Sequence, residues 1–434
     1  MALQFAHGAV QWLAADVVNT VYDIITPFSQ KAIRLYWVGL QSNSPTAANS
    51  QVVAERRGVG FIGTASPSAH NVTTFSADNS GNADCGSAYS ETYPVMTVNG
   101  TGTIDGILTF TVSGGQVSLV VLDQAPANIT VFWEAWGGDD ITNVTVGAIA
   151  EPAATGNQNY TALGFLNGAT DQCIMFAGVQ SVNASDVGQA QDSGLQVGFA
   201  TSTATANQIV VVGNSDDGSA TMDTDGYNYT GQCLSMIVIA GGNPNARATL
   251  AAFGTDLFTL NWGARATTNR RNIYMAIKGG GWQAGSYTIA GNTLNATATV
   301  SDLPFVPVGA SFIGANKIIS TVNTSTVQDR IGFGTALVDP SARTTFTRNS
   351  AGVLDEDATA NSEIDTSIHY AQSLVFPSNA GALQSAYDMS SMGVNNFTVI
   401  VDTAGGVANE WQGYLVFGDQ KRPRTVSIGH PFIA

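Results

Sequence analysis

A threefold internal repeat with a period of about 140 residues constrains this chain more than any other feature. Four landmarks recur in one order. An opening strand carries a glycine at Gly8, Gly147 and Gly285. A phenylalanine then leads into an apolar run that ends on glycine: Phe28 to Gly39, Phe165 to Gly178, Phe305 to Gly314. Next comes a Gly-Phe step at Gly60-Phe61, Gly198-Phe199 and Gly332-Phe333. Each copy closes with two strand-like runs joined by a polar turn, with Phe132, Tyr274 and Tyr414 at matching places in the second run. Between landmarks, short stretches rich in Val, Ile, Thr, Phe and Tyr are broken by Gly, Asn, Asp and Ser, which is strand-and-turn composition. Helical periodicity is nearly absent; the best helix candidate, Val10–Tyr22, reads also as the first strand with a loop. The expectation is an all-β chain of three tandem antiparallel β-sandwich or jelly-roll-like modules. Their bounds are 1–139, 140–280 and 281–434, the last with a C-terminal arm.

The most regular closing unit is Gly254 to Gly279. Leu257, Thr259 and Asn261 alternate with Phe258, Leu260 and Trp262, and a second run follows at Tyr274-Met275-Ala276-Ile277. This pattern predicts a β-hairpin in each copy. The segments 66–90, 201–231 and 339–365, all after the Gly-Phe step, read as long variable loops at one end of each sandwich. Loops so placed serve for binding or for locking one subunit to the next.

Only 11% of the 434 residues are charged, less than half the usual share of about a quarter. Such a surface suits permanent packing between subunits, because few charges need desolvating. The net charge of −16 argues against a nucleic-acid partner, which needs a clustered basic face. It argues equally against an anionic membrane surface. No apolar run approaches the ~20 residues of a membrane span, and MALQFAHGAVQW lacks the basic start and apolar core of a signal peptide. Synthesis in a cytoplasm is expected. Cys85, Cys173 and Cys233 are odd in number and widely spaced, which predicts buried thiols rather than a disulfide framework.

Asp216, Asp217, Asp223 and Asp225 offer oxygen ligands at alternating spacing and are the candidate metal ligands, for structural Ca²⁺. The distal Glu of an EF-hand loop is missing. Asp355, Glu356, Asp357, Glu363 and Asp365 form a second acidic cluster, and Asp139-Asp140 sits at a module junction. The four histidines are scattered and no nucleophile elbow is present. No catalytic residue, no enzyme activity and no other cofactor are expected. Tyr227 and Tyr229 are candidate exposed aromatics for glycan contact. Trp133, Trp136, Trp282 and Trp411 read as core or inter-module packing. Lys421–Ala434 carries the densest basic cluster and reads as an arm that docks on an acidic neighbouring subunit.

At these landmarks the sequence resembles a repeat common in structural proteins of tailed bacteriophages. That repeat opens on a Gly-bearing strand and passes through a Gly-Phe-x-Pro step into an apolar strand ending on glycine, as in Phe305-Val306-Pro307 to Gly314. It closes with Asp-Gly-Phe-Thr-Leu-x-Trp followed by Tyr-Leu-Ala-Leu-Gly, here Asp256 to Trp262 and Tyr274 to Gly279. The first copy departs most, with Gly115-Gln116-Val117-Ser118 replacing the Asp-x-Phe-Thr step. The resemblance implies a virion structural protein, a tail-associated or capsid-exterior decoration component in symmetric homo-oligomers with other phage proteins as partners. The alternative is a receptor- or glycan-binding fibre or spike adhesin that contacts host surface glycans. The family brings no catalytic residues.

Overall fold

The computed structural model describes residues 3–39, 48–52, 54–77, 84–181, 183–218, 223–237, 244–265, 270–317, 329–339, 341–355, 364–378, 382–405 and 410–420. The described chain is antiparallel β-structure throughout, with two single-turn 3₁₀ segments. Six sheets form, in three pairs of one large and one four-stranded sheet. In the first pair the large sheet runs Gln4–Trp12, Ile129–Gly137, Gln30–Val38, Ala54–Gly63, Ser68–Ala77, Asp84–Ser90. Its four-stranded partner runs Val21–Ile24, Gln116–Asp123, Ile104–Ser113, Val95–Val98. The second pair repeats this order with Asn143–Ala150, Arg271–Lys278, Gln172–Val179, Leu195–Ala200, Gln208–Ser215, Thr224–Thr230, over Gly156–Thr161, Leu257–Ala264, Pro244–Gly254, Leu234–Ile237. The third repeats it again with Gly281–Thr288, Trp411–Gln420, Phe305–Lys317, Asp329–Val338, Phe346–Asp355, Ile364–His369, over Thr297–Val300, Phe397–Thr403, Leu383–Met392, Leu374–Pro377.

Among the described residues, two strands leave their own pair. Gln189–Ala190 adds to the edge of the first large sheet, opposite Ser87 and Gly86. Ala48–Val52 adds to the edge of the third, opposite Ile364–Ile368.

The large sheets are buried on both faces, and this explains why their strands read as unbroken apolar runs. In Gln30–Val38, Ile33, Leu35 and Trp37 face the four-stranded sheet. Ala32, Tyr36 and Val38 face a separate core that all three pairs share. Ile174 and Phe176 against Cys173, Met175 and Ala177 repeat the division in the second pair. The shared core draws Phe61 and Phe132 from the first pair, Val197 and Phe199 from the second, and Ile331 and Phe333 from the third.

The pairs meet head to tail. Strands Ala54–Gly63 and Ser68–Ala77 of the first pack on Asn143–Ala150, Gln172–Val179 and Arg271–Lys278 of the second. The corresponding strands of the second, Leu195–Ala200 and Gln208–Ser215, pack on Gly281–Thr288 and Phe305–Lys317 of the third. Those of the third, Asp329–Val338 and Phe346–Asp355, pack on Gln4–Trp12 of the first. A heterologous contact made three times with the same strands closes a ring with pseudo-threefold symmetry.

Two landmarks follow from close approach. A Cβ on Gly8 would lie 2.4 Å from the Trp133 ring, on Gly147 2.5 Å from Tyr274, and on Gly285 2.4 Å from Tyr414. The opening glycine therefore seats an aromatic from the closing strand, and the equivalents of Tyr274 and Tyr414 are at Trp133 rather than Phe132. In the Gly-Phe step the phenylalanine enters the shared core while the glycine lets the four-stranded sheet cross. A Cβ at Gly60 would stand 2.0 Å from the Pro94 carbonyl oxygen, at Gly198 2.1 Å from that of Cys233, and at Gly332 2.8 Å from that of Val375. Backbone cannot swing aside, so Gly60→Ala is expected to cost about 1–3 kcal/mol. A urea midpoint equal to that of the native chain would refute the close approach.

Three sequence expectations are corrected, and one open reading is resolved. The closing runs are not hairpins: Gln116–Asp123 and Ile129–Gly137 lie in different sheets, as do Leu257–Ala264 and Arg271–Lys278, and Phe397–Thr403 and Trp411–Gln420. The chain crosses between sheets there because one strand has a solvent face and the other has two buried faces. The described parts of the segments 66–90, 201–231 and 339–365 are largely antiparallel strands that extend the large sheets. They read as loops because their buried residues include Thr73, Thr74, Ser76, Ser87, Asp225, Asn228, Asn349 and Ser350. Of the two readings of Val10–Tyr22 the strand with a loop holds: the segment spans the end of Gln4–Trp12, a turn, and the start of Val21–Ile24. The glycines that end the apolar runs are not equivalent, since Leu35, Phe176 and Gly314 are the residues opposite Gly60, Gly198 and Gly332.

Candidate functional site at the seams of the ring

The predicted acidic site lies on the seam between the second and first pairs. The Cys85 amide donates to Asp217 Oδ1 at 2.9 Å, and the Cys85 thiol donates to the Asp216 carbonyl at 3.2 Å. The Asp217 amide donates to Asp192 Oδ1 at 3.3 Å, and the Asp216 amide to the Asp223 carbonyl at 3.0 Å. Asp225 is fully buried in Thr224–Thr230, opposite Asn214. The four residues are thus divided between a clamp on the first pair and a buried strand. Among the described residues, no three His, Cys, Asp or Glu side chains are grouped to hold a metal. The clamp continues where Gln191 Nε2 donates to Ser87 Oγ at 2.7 Å and Ser185 Oγ accepts from the Glu91 amide at 2.8 Å. All three cysteines are buried and free.

The aromatic candidates are in cores. Tyr227 is buried in the second pair, and Tyr229 stacks on it at 5.8 Å. Trp133, Trp136, Trp282 and Trp411 are all buried. Trp411 also bridges the second and third pairs, its indole N–H donating to Thr230 Oγ1 at 3.2 Å. The basic arm Lys421–Ala434 and the acids Glu356, Asp357 and Glu363 lie outside the described residues.

The groups that sequence reading missed are buried charges where all three pairs meet. Arg57 lies 2.7 Å from Asp329, 3.3 Å from Glu55 and 3.6 Å from Asp355, and all four side chains are essentially inaccessible. The second pair closes the cluster. Ser215 donates to Asp355, the Asp329 amide donates to Thr224 Oγ1 at 3.2 Å, and a Cβ on Gly213 would touch Asp329 Oδ1. Burial opposes the Arg57 charge, but Asp329, Glu55 and Asp355 more than offset it. Burial also lifts the Glu55 carboxyl well above the usual range; the Asp355 charge adds to this and Arg57 counters it. Three acids against one guanidinium leave the cluster short of positive charge, and a proton held by Glu55 reduces the excess without cancelling it. A repeat signal was available: Arg57, Leu195 and Asp329 each stand three residues before the glycine of the Gly-Phe step.

A second node ties the three pairs together deeper in the shared core. Arg34 binds Glu134 through two nitrogens, at 2.8 Å and 3.0 Å. Ser311 of the third pair donates to Glu134 at 2.9 Å and Thr335 donates to the same oxygen. The Arg34 guanidinium sits 5.3 Å from the Phe199 ring centroid of the second pair, a cation–π distance.

Each seam also ends at the surface in a characteristic way. Between the second and third pairs lies a cleft of about 460 Å³, lined by side chains that include Asn167, Thr170, Thr203, Phe253, Trp282 and Gln283. Between the third and first a smaller cavity of about 260 Å³ is lined by Leu3, Phe5, Val308, Leu337 and Val338. Between the first and second, Val144 and Val146 fill the space over Gly63, at 3.6 Å and 3.3 Å from where its Cβ would be.

No family model matches the chain, and no curated protein matches it. Solved structures align with it only at negligible similarity. The P pilus usher PapC translocation pore is 8% identical over 89% of this chain and 99% of its own, with a TM-score of 0.12. OpdL from Pseudomonas aeruginosa is 9% identical over 89% and 97%, at 0.11. An anion-selective porin from Comamonas acidovorans is 12% identical over 89% and 98%, at 0.10. Scores this low assign neither fold nor function.

Proposed function

We propose that this chain is a structural protein of a bacteriophage particle, a tail-associated or capsid-exterior component in which one polypeptide supplies a preassembled threefold unit. The observation that carries this reading is the closed ring. Two of the three sheet pairs lend an edge strand to a neighbour, and all three share one apolar core and lock around buried charges, which is how permanent assemblies are built. The low charged fraction and the resemblance of the repeat landmarks support the same class. Cycles of binding and release are disfavoured by such an interior, because opening it exposes Arg57 and Glu134 with their partners.

The reading is tested by light scattering with and without chelator, and by mass spectrometry of particles recovered from cells that carry the gene. A discrete oligomer unaffected by chelator, with the protein present in those particles in fixed stoichiometry, is the expected result. Its absence from the particles would overturn the assignment. An oligomer that dissociates in chelator would move the weight to metal held near Asp216–Asp225.

A further inference from the structure

We propose that the cleft between the second and third sheet pairs binds a neutral saccharide. The three seams share one architecture, so their differences report what each seam needs beyond closure. Trp282, Phe5 and Val144 occupy one position, each three residues before the opening glycine. Thr203 and Leu337 occupy another, each five residues after the glycine of the Gly-Phe step. At the third–first seam these positions are Phe5 and Leu337, and the lining is wholly apolar. At the first–second seam valines fill the space. At these matching positions the other two seams close with apolar side chains, so the hydroxyl of Thr203 and the amide of Asn167 on the rim of the second–third cleft are not needed for closure there, whereas Thr201, which accepts from the Ala284 amide, is.

That lining selects a ligand class. It contains no ionisable side chain, although the cleft is open to solvent at Asn167, Thr170 and Thr203. Amide and hydroxyl groups both donate and accept, the capacity that matches sugar hydroxyls. Phe253 and Trp282, almost wholly buried in the cores behind the cleft, back it as an apolar floor and leave recognition to the hydroxyl and amide rim. The volume falls within the ordinary range of small-ligand sites, about 300–1,000 Å³. With no cation in the lining and a chain charge of −16, an acidic sugar is disfavoured and a neutral one fits. The binding does not depend on the assignment to a particle, so the two readings fail separately.

The test uses the full chain on an array of neutral and sialylated glycans, followed by saturation-transfer NMR with methyl glycosides of glucose, galactose and N-acetylglucosamine. Binding of at least one neutral glycan is expected. Thr203→Leu, which installs the residue found at the third–first seam, should weaken it about tenfold, and so should Asn167→Ala on the exposed rim, with unchanged melting temperatures. No neutral glycan bound by the native chain, binding confined to sialylated glycans, or full binding by both variants would overturn the proposal. Asn167→Ala keeps the test decisive should the leucine variant fail to fold.

Discussion

Arg57→Leu is expected to be among the most damaging single substitutions in this chain. The leucine fills much of the volume but leaves Glu55, Asp329 and Asp355 facing one another with no cation, all fully buried. Removing one partner of a buried ion pair costs about 3–5 kcal/mol, and here one guanidinium serves three acids. The loss should grow with pH. The folded variant must hold extra protons that the unfolded chain releases near the ordinary carboxylate range, so stability falls as pH rises. Glu55 follows the same rule in the native protein. Its folded pKa is raised, so its contribution is intact below the unfolded value and is lost as pH climbs towards the folded one. Glu55→Gln should therefore stabilise the native chain at neutral and alkaline pH and partly rescue Arg57→Leu. Urea midpoints of the three variants across pH 5 to 9 decide the matter. An Arg57→Leu midpoint within error of native at every pH would mean that the cluster holds nothing together.

The repeat was legible because it rests on steric necessity. A glycine must stand where an aromatic ring or a carbonyl crosses, and no other residue replaces it, so Gly8, Gly147 and Gly285 and then Gly60, Gly198 and Gly332 stay visible across three diverged copies. What was illegible rests on context. Leu257–Ala264 and Arg271–Lys278 look like a hairpin because sequence shows the strands and the polar turn but not which sheet each joins. Ser68–Ala77 and Thr224–Thr230 look like loops because their polar residues are buried by neighbouring strands rather than by their own composition. The charge cluster joins Arg57 to Asp329, 272 residues away in the chain. Only the repeat frame, in which the two share a position, brings them to the same place. The acids singled out at Asp216 and Asp217 were conspicuous through spacing, yet in the structure both are engaged by Cys85 of the first sheet pair, Asp217 Oδ1 by its amide and the Asp216 carbonyl by its thiol. Asn167 and Thr203 passed unnoticed because single polar residues in turns carry no pattern; the comparison of three seams makes them stand out.

Glu410→Gln is expected to raise stability and to flatten its pH dependence. Glu410 is buried in the third pair, where Tyr387 Oη and Ser385 Oγ both donate to its Oε2, the latter at 3.4 Å. Burial pushes its carboxyl up to about 8 from an ordinary 4.5, against the two hydroxyl donors and the Arg330 charge, which act the other way. The folded state thus holds a proton that the unfolded chain loses at much lower pH. Stability from this group is fully present below about 4.5 and declines until about 8. At about 1.36 kcal/mol per pH unit that is about 5 kcal/mol over the window, an upper figure for a site whose neighbours relax. Glutamine keeps an oxygen that accepts from Tyr387 and Ser385 and has no proton to lose, so its advantage should be absent at pH 4.5 and largest near pH 8. Chemical denaturation of the two proteins at pH 4.5, 6 and 8 measures the difference directly. Parallel midpoints at all three would show that Glu410 is ionised in the folded chain, and the Tyr387 hydrogen bond would then be holding a buried carboxylate.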